Sequence, residues 1–375
     1  MEEINNLEQI AEETNDDFSN DDLFNITSWG ADMNLREIIT SYKESDIVKP
    51  ELQRKYVWDK KSASRFIESI LLGLPVPSLF FAKTSDSRML IVDGYQRIKT
   101  ICDFFDGIWT GDNSPFQLTN SDRINQRWRN KSYRDLSEED QRRFKMYTIH
   151  AIIFEQKHPQ NDSGLYQIFE RINTSGMALN AQEIRNCVFQ GKMNNLLFSL
   201  NDYPVWRELF GDLRPNSRML DIEFILRFFA ISQTEILQST AHSISLKKVL
   251  NDYMSAYISG EDSFFEAKGE EFKRCIDFLN AKFGKDVFYN LQGSDFSVIR
   301  RKFYPTVYDS IMIATKIALE RGFDTDEDLE PKRLMMLKDS RYRECITQGT
   351  MQVEHIKDRV AIALSMLYGL NISDE

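Results

Sequence analysis

Apolar residues in the first 155 positions come in short clusters of two spacings. Leu35, Ile38, Ile39 and Tyr42 fall on one helical face, with Asn34 as cap and Glu37 three residues later as its capping-box partner. Ile47-Val48 reads as a short strand ending at Pro50. Ala63, Phe66, Ile67, Ile70 and Leu71 stripe a helix over Lys60–Leu72 that Gly73 stops. Pro75-Val76-Pro77 stiffens the turn into a strand over Leu79–Ala82. Met89–Val92 is a second, interior strand. It leads into a helix over Tyr95–Phe105 with Ile98, Ile101, Cys102 and Phe105 inward. Ser137 opens a polar helix, and Tyr147–Phe154 is rich in β-formers. Order is expected to begin near Phe24–Trp29.

After residue 160 the spacing becomes helical throughout. Leu165–Ile172, Ala181–Phe189, Met219–Phe229, Phe264–Phe283, Thr306–Leu319 and Met351–Leu367 all repeat apolar residues every three or four positions. The pattern predicts an α+β domain over 28–160 followed by an all-helical domain over 161–375.

Charge changes the picture at one end only. The net charge of −11 arises mostly in residues 1–22, which hold nine acids and no base. The remainder is close to neutral, with 47 bases against 49 acids. Residues 1–27 read as an acidic, disordered arm. Its functional alternative is an electrostatic decoy lying over a basic site. The N-terminus shows no basic n-region followed by an apolar one, and no run approaches the roughly 18 apolar residues of a membrane span. A cytoplasmic protein without a membrane partner is the expectation. Cys102, Cys187, Cys275 and Cys345 are scattered, as are the four histidines, so neither a disulfide framework nor a structural zinc site is expected.

Three segments carry candidate chemistry. In Pro50–Trp58, Gln53 and Arg54 sit between a strand and a helix, where side chains can enter a cleft. The plainer reading makes Tyr56 and Trp58 wedges under the next helix and leaves Arg54 at the surface. In Met89–Arg97, a buried strand runs through Asp93-Gly94 directly into a helix. Glycine allows a tight turn and close ligand approach. The unpaired N–H groups of the new helix attract an anion, and Arg97 can clamp a phosphate. Asp93 can orient water or hold Mg²⁺; alternatively, it merely caps the helix. In Phe169–Asn186, one helix ends in the polar turn Asn173-Thr174-Ser175-Gly176, and the next opens with Asn180 and Glu183 as a capping box. A well-made helix–loop–helix explains much of this segment, but not Arg171 and Arg185.

Together these segments resemble the N-terminal domain of the GmrSD restriction endonucleases. The family pattern is P-x-x-Q-R-x-x-x-W, a helix ending G-x-P-x-P, a strand with D-G-Q-Q-R, and F-x-R-x-N-x-x-G-x-x-L-x-x-x-E-x-R. This chain reads Pro50–Trp58, Gly73–Pro77, Asp93–Arg97 and Phe169–Arg185 in the same order. The resemblance implies a ParB/sulfiredoxin-like core. It also implies nucleotide binding or hydrolysis that controls DNA restriction, commonly in anti-phage defence. Asp93, Gln96 and Arg97 would be the catalytic and phosphate motif, with Asp93 the candidate Mg²⁺ ligand. Gln53, Arg54, Gly94, Tyr95, Arg171 and Asn173 would bind a nucleoside triphosphate.

Tyr95 stands where the pattern has its first Gln, which puts hydrolysis in question and suggests a ring for base stacking. The HNH nuclease that often follows such domains is not expected: Glu354-His355-Ile356 has no second ligand segment after it. Arg123–Lys145 holds eight bases, with Arg127, Arg129, Lys131, Arg142 and Arg143 interleaved with Trp128 and Tyr133. It reads either as a nucleic-acid surface or as a solvated face balanced by Asp135, Glu138, Glu139 and Asp140. Two functions compete: a nucleotide-hydrolysing regulator that acts on DNA directly or through a partner nuclease chain, and a non-catalytic nucleotide- or DNA-binding module. Either could form a homo-oligomer.

Overall fold

The computed structural model describes residues 7–8, 26–49, 56, 58–84, 87–156, 163–172, 180–216, 219–293 and 296–372. The chain forms two compact units: Asn20–Val188, and Phe189–Glu375 together with the N-terminal residues.

The first unit is built on a mixed five-stranded sheet. Its elements are β1 (Ile26–Asn34), α1 (Leu35–Lys43), β2 (Ile47–Val48), α2 (Lys60–Leu72), β3 (Leu79–Lys83), β4 (Met89–Asp93) and α3 (Tyr95–Asp106). There follow the short pair β5 (Ile108–Trp109) and β6 (Ser114–Pro115), then α4 (Glu138–Met146), β7 (Thr148–Gln156), α5 (Ser163–Ile172) and α6 (Ala181–Val188). The strand order is β1-β7-β3-β4-β2. β1 pairs antiparallel with β7 and β3 antiparallel with β4, while β3–β7 and β2–β4 are parallel. Ile47, Leu79, Phe81, Ile91, Ile149, Ala151 and Ile153 line one face. That face shares its core with Ile38, Ile67, Ile70, Ile98, Ile101 and Phe144 from α1–α4. α5 lies against β7 and α6 against α5.

Local signals account for these elements. Asn34 Oδ1 accepts from Glu37 N at 3.0 Å. Asp59 Oδ1 accepts from Ser62 N at 2.7 Å, and Gly73 ends α2 at φ +73°. At the start of α6, Asn180 and Glu183 bond reciprocally at 2.7 and 2.8 Å, the expected capping box.

The second unit is helical: α7 (Lys192–Asn201), α8 (Pro204–Phe210), α9 (Leu220–Ile231), α10 (Thr234–Leu237), α11 (Leu246–Ala256) and α12 (Asp262–Phe283). After β8 (Tyr289–Gln292) and β9 (Val298–Phe303) come α13 (Pro305–Glu320), α14 (Glu330–Met336), α15 (Ser340–Thr347) and α16 (Val353–Tyr368). Trp206, Phe210, Phe224, Phe288, Phe303 and Tyr308 form its aromatic centre, with ring centroids 4.7 Å apart at Phe224–Phe303 and 4.9 Å at Phe288–Tyr308. Among the described residues, no helix is long and apolar enough to cross a membrane.

The α+β architecture with a helical C-terminal part is as the sequence predicts, with three differences. The compact unit extends to Val188 rather than 160, because α5 packs back on β7. The C-terminal unit contains a β-hairpin, β8–β9, where an all-helical domain is expected. The expected arm 1–27 is partly structured: Leu7 bridges Phe303, and Ile26 and Thr27 already belong to β1.

Candidate functional site

The β4–α3 junction is built by two backbone irregularities. A bulge places Phe80 opposite Asp93 while Phe81 opposes Ile91, so Asp93 leaves the regular alternation. Gly94 then caps α3 at φ +110°, and a Cβ there would lie 2.4 Å from Leu79 Cδ2. Glycine is therefore required on both conformational and steric grounds. Because Gly94 is the cap, no side chain closes the helix N-terminus. Asp93 is not the N-cap.

Arg97 turns back from the first helical turn. Its Nη2 donates to Asp93 Oδ2 at 2.5 Å and to Ser78 O at 3.0 Å. Its buried Nε has no hydrogen-bond partner. The guanidinium is 13% exposed and the carboxylate 37%, so the pair is half open. Gln96 Oε1 accepts from Trp58 N at 3.3 Å. Tyr56 O–H bonds Thr100 Oγ1 at 2.7 Å, and that hydroxyl in turn donates to Gln96 O. The ring of Tyr56 meets Trp109 edge-on, and that of Trp58 meets Phe66. Tyr56 and Trp58 thus act as wedges, fastening the segment before α2 onto α3. Gln53 and Arg54, a few residues earlier, lie outside the described residues, as does Asn173.

Tyr95 is placed differently from the expectation of a stacking ring. It is only 8% exposed and belongs to the core of the first unit. Burial raises its hydroxyl pKa, and that of its neighbour Tyr42. Lys49, at the end of β2, holds its Nζ 4.5 Å from the centre of the Tyr95 ring. Burial lowers the Lys49 pKa. Sequence reasoning missed this lysine; its one signal was a cation directly ahead of Pro50, at the end of a strand parallel to β4. Arg171 stands exposed in the last turn of α5. The structure thus brings Asp93, Gly94, Gln96 and Arg97 into one corner.

The basic stretch Arg123–Lys145 does not form an aromatic-lined surface. Trp128 and Tyr133 are core residues, 3% and 8% exposed. Trp128 Nε1 donates to Asp140 Oδ2 at 3.1 Å, and Arg127 pairs with the same oxygen. Arg129 pairs with Asp122 and Arg143 with Glu139. Arg142 is exposed and Lys131 half-buried. The solvated-face reading describes this stretch better than a stacking platform does.

All four cysteines are free and buried. Burial pushes Cys102, Cys187 and Cys275 up to about 12, far from a thiolate at neutral pH. His355 is buried, its Nδ1 2.7 Å from Gln348 O. Among the described residues, no group of three or more His, Cys, Asp or Glu could hold a metal.

The corner thus combines an open helix N-terminus, a tight glycine turn and an arginine whose Nε has no partner, an arrangement chemically suited to an anion. It lies within residues 35–190, which match the family model described as the N-terminal domain of the GmrSD restriction endonuclease. That segment is similar to this family's N-terminal domain. Neither the curated proteins nor the solved structures gave a match.

Proposed function

We propose that residues 35–190 bind and hydrolyse a nucleoside triphosphate at the β4–α3 corner. On this reading the chain is a regulator or sensor in a bacterial DNA-restriction or anti-phage system, and it acts through an effector nuclease. The family supports the restriction role. The observation that carries the nucleotide reading is the Gly94 cap at φ +110°, which leaves the N–H groups of α3 without a side-chain acceptor beside Arg97. These groups would donate to phosphate oxygens, with Arg97 Nε as a further donor. Asp93, more exposed than Arg97, would orient the attacking water. Gln96 would hold Trp58 in place through its backbone N–H, and Gln53 and Arg54 would bind the nucleotide as the family pattern implies. Arg171 and Asn173 would complete the cleft.

One carboxylate suits a Mg²⁺ ion that arrives on the phosphates, because Mg²⁺ keeps most of its ligands as water and phosphate oxygen. Asp93 would hold it, and the ion would draw charge from the phosphates. A second reading, a binding module without turnover, is favoured by one fact: Arg97 already occupies Asp93 Oδ2.

Asp93 substitutions separate the two readings. Asp93→Ala is expected to lower hydrolysis by at least about 100-fold, the scale of losing one preorganised group, while nucleotide binding persists. Asp93→Asn keeps the shape and removes the charge. Wild-type turnover in Asp93→Asn would leave the binding module as the function.

A further inference from the structure

The N-terminal residues show where a second charged surface lies. Leu7 forms a parallel bridge with Phe303 at the end of β9, and Glu8 N donates to Phe303 O at 2.9 Å. Glu8 Oε2 then meets Arg300 at 2.8 Å, and its side chain is only 20% exposed. β9 itself reads Val-Ile-Arg-Arg-Lys-Phe, with three consecutive cations. Tyr289 opposes Phe303 while Asn290 opposes Arg300, so Arg301 and Lys302 are bulged out of register. Arg301 is exposed and Lys302 half-buried. Among the described residues, neither has a carboxylate partner, whereas the cations of Arg127, Arg129 and Arg143 all do.

A run of adjacent cations with a single carboxylate seated at one end is the pattern of a polyanion contact. Its internal occupant is also the anchor of a polyanion: Glu8 is one of nine acids in residues 1–22, which contain no base. We propose that Arg300, Arg301 and Lys302 of β9 contact the phosphate backbone of duplex DNA, and that Glu8, seated beside Arg300 by the Leu7–Phe303 bridge, is an intramolecular competitor. Guanidinium groups donate bidentately to phosphate oxygens, so Arg300 can exchange the Glu8 carboxylate for a phosphate without moving far. The energy of such a contact is counterion release, which makes it sensitive to salt. This surface lies in the second unit and does not depend on the nucleotide reading of the β4–α3 corner.

The test is fluorescence anisotropy of the full chain with a labelled 30-base-pair duplex, over a salt series without nucleotide. Glu8→Gln should tighten binding at low salt by at least about threefold, since it removes the competitor's charge and leaves the backbone bridge. Arg301→Gln/Lys302→Gln leaves the Glu8–Arg300 pair in place. It should weaken binding at least about fivefold and lower the salt slope by about 2, for two lost phosphate contacts. Circular dichroism melts matching wild type would show that both variants fold. A destabilised double variant would be replaced by the exposed single change Arg301→Gln, expected to lower the slope by about 1.

Unchanged DNA affinity in either variant would overturn the proposal. So would the absence of duplex binding by both wild type and Glu8→Gln at micromolar protein. Single-stranded DNA of equal charge should bind more weakly than the duplex; stronger binding would overturn the duplex assignment. Displacement of the duplex by polyglutamate at equal charge would make the surface an acidic-peptide site instead. Because nucleotide is absent throughout, failure here leaves the corner reading untouched.

Discussion

Each unit contains an arginine–aspartate pair, and the two pairs are built to opposite ends. In the second unit, Arg227 binds Asp309 through both Nε and Nη2, and the two side chains are 2% and 1% exposed. Arg359 approaches the same carboxylate at 3.5 Å and donates to Thr350 O at 2.7 Å. In the first unit, Arg97 reaches Asp93 through one nitrogen only, leaves Nε without a partner, and sits at an open helix end. A closed pair of charges fixes a fold, because removing either member strands the other in a low dielectric. A half-open pair contributes little to the fold and retains an uncommitted donor. The two pairs differ in solvent access rather than in the identity of their residues.

That contrast can be broken by mutation. The largest effect is expected from Asp309→Ala, which removes the buried carboxylate that Arg227 and Arg359 both contact and should cost about 3–5 kcal/mol. Urea denaturation followed by circular dichroism measures it. A cost below about 1 kcal/mol would show that the closed pair is no more structural than a surface one. Gly94→Ala comes next. The φ of +110° and the 2.4 Å approach to Leu79 predict a loss of about 1–3 kcal/mol, read as a lower melting temperature. A neutral Gly94→Ala would mean that the corner relaxes easily, and the tight approach of a ligand would lose its physical basis.

Much of this was legible along the chain, and the failures share a cause. The helix at Lys60–Leu72 and the Met89–Arg97 strand-to-helix corner follow from apolar spacing plus a glycine, so their limits agree with the sequence to within a residue. β1 was not foreseen as a strand. Thr27, Ser28, Trp29 and Gly30 are all exposed, which leaves no alternation to detect. β9 escaped for a related reason: its centre is Arg-Arg-Lys rather than an apolar–polar repeat.

At the site, Asp93, Gly94 and Arg97 could be read because a motif at a strand end dictates its own geometry. The burial of Tyr95 and the placement of Lys49 over its ring depend on β2 lying beside β4, a long-range pairing that local pattern does not encode. Trp128 and Tyr133 misled for the same reason. Aromatics among bases suit a stacking surface, but Asp140 draws Trp128 inward.

The central claim, that the open pair at the β4–α3 corner is a phosphate site, is tested most directly by thermal unfolding with and without a nucleoside triphosphate and Mg²⁺. Ligand at about 100 times its dissociation constant should stabilise the wild-type chain by about 2.7 kcal/mol, a rise of several degrees. Arg97→Ala should abolish that rise. In the ligand-free protein it should change the melting temperature little, because the Asp93 carboxylate it leaves behind is open to solvent. If no triphosphate shifts the wild-type melt at millimolar concentration, or if Arg97→Ala responds as the wild type does, the corner is not the phosphate site.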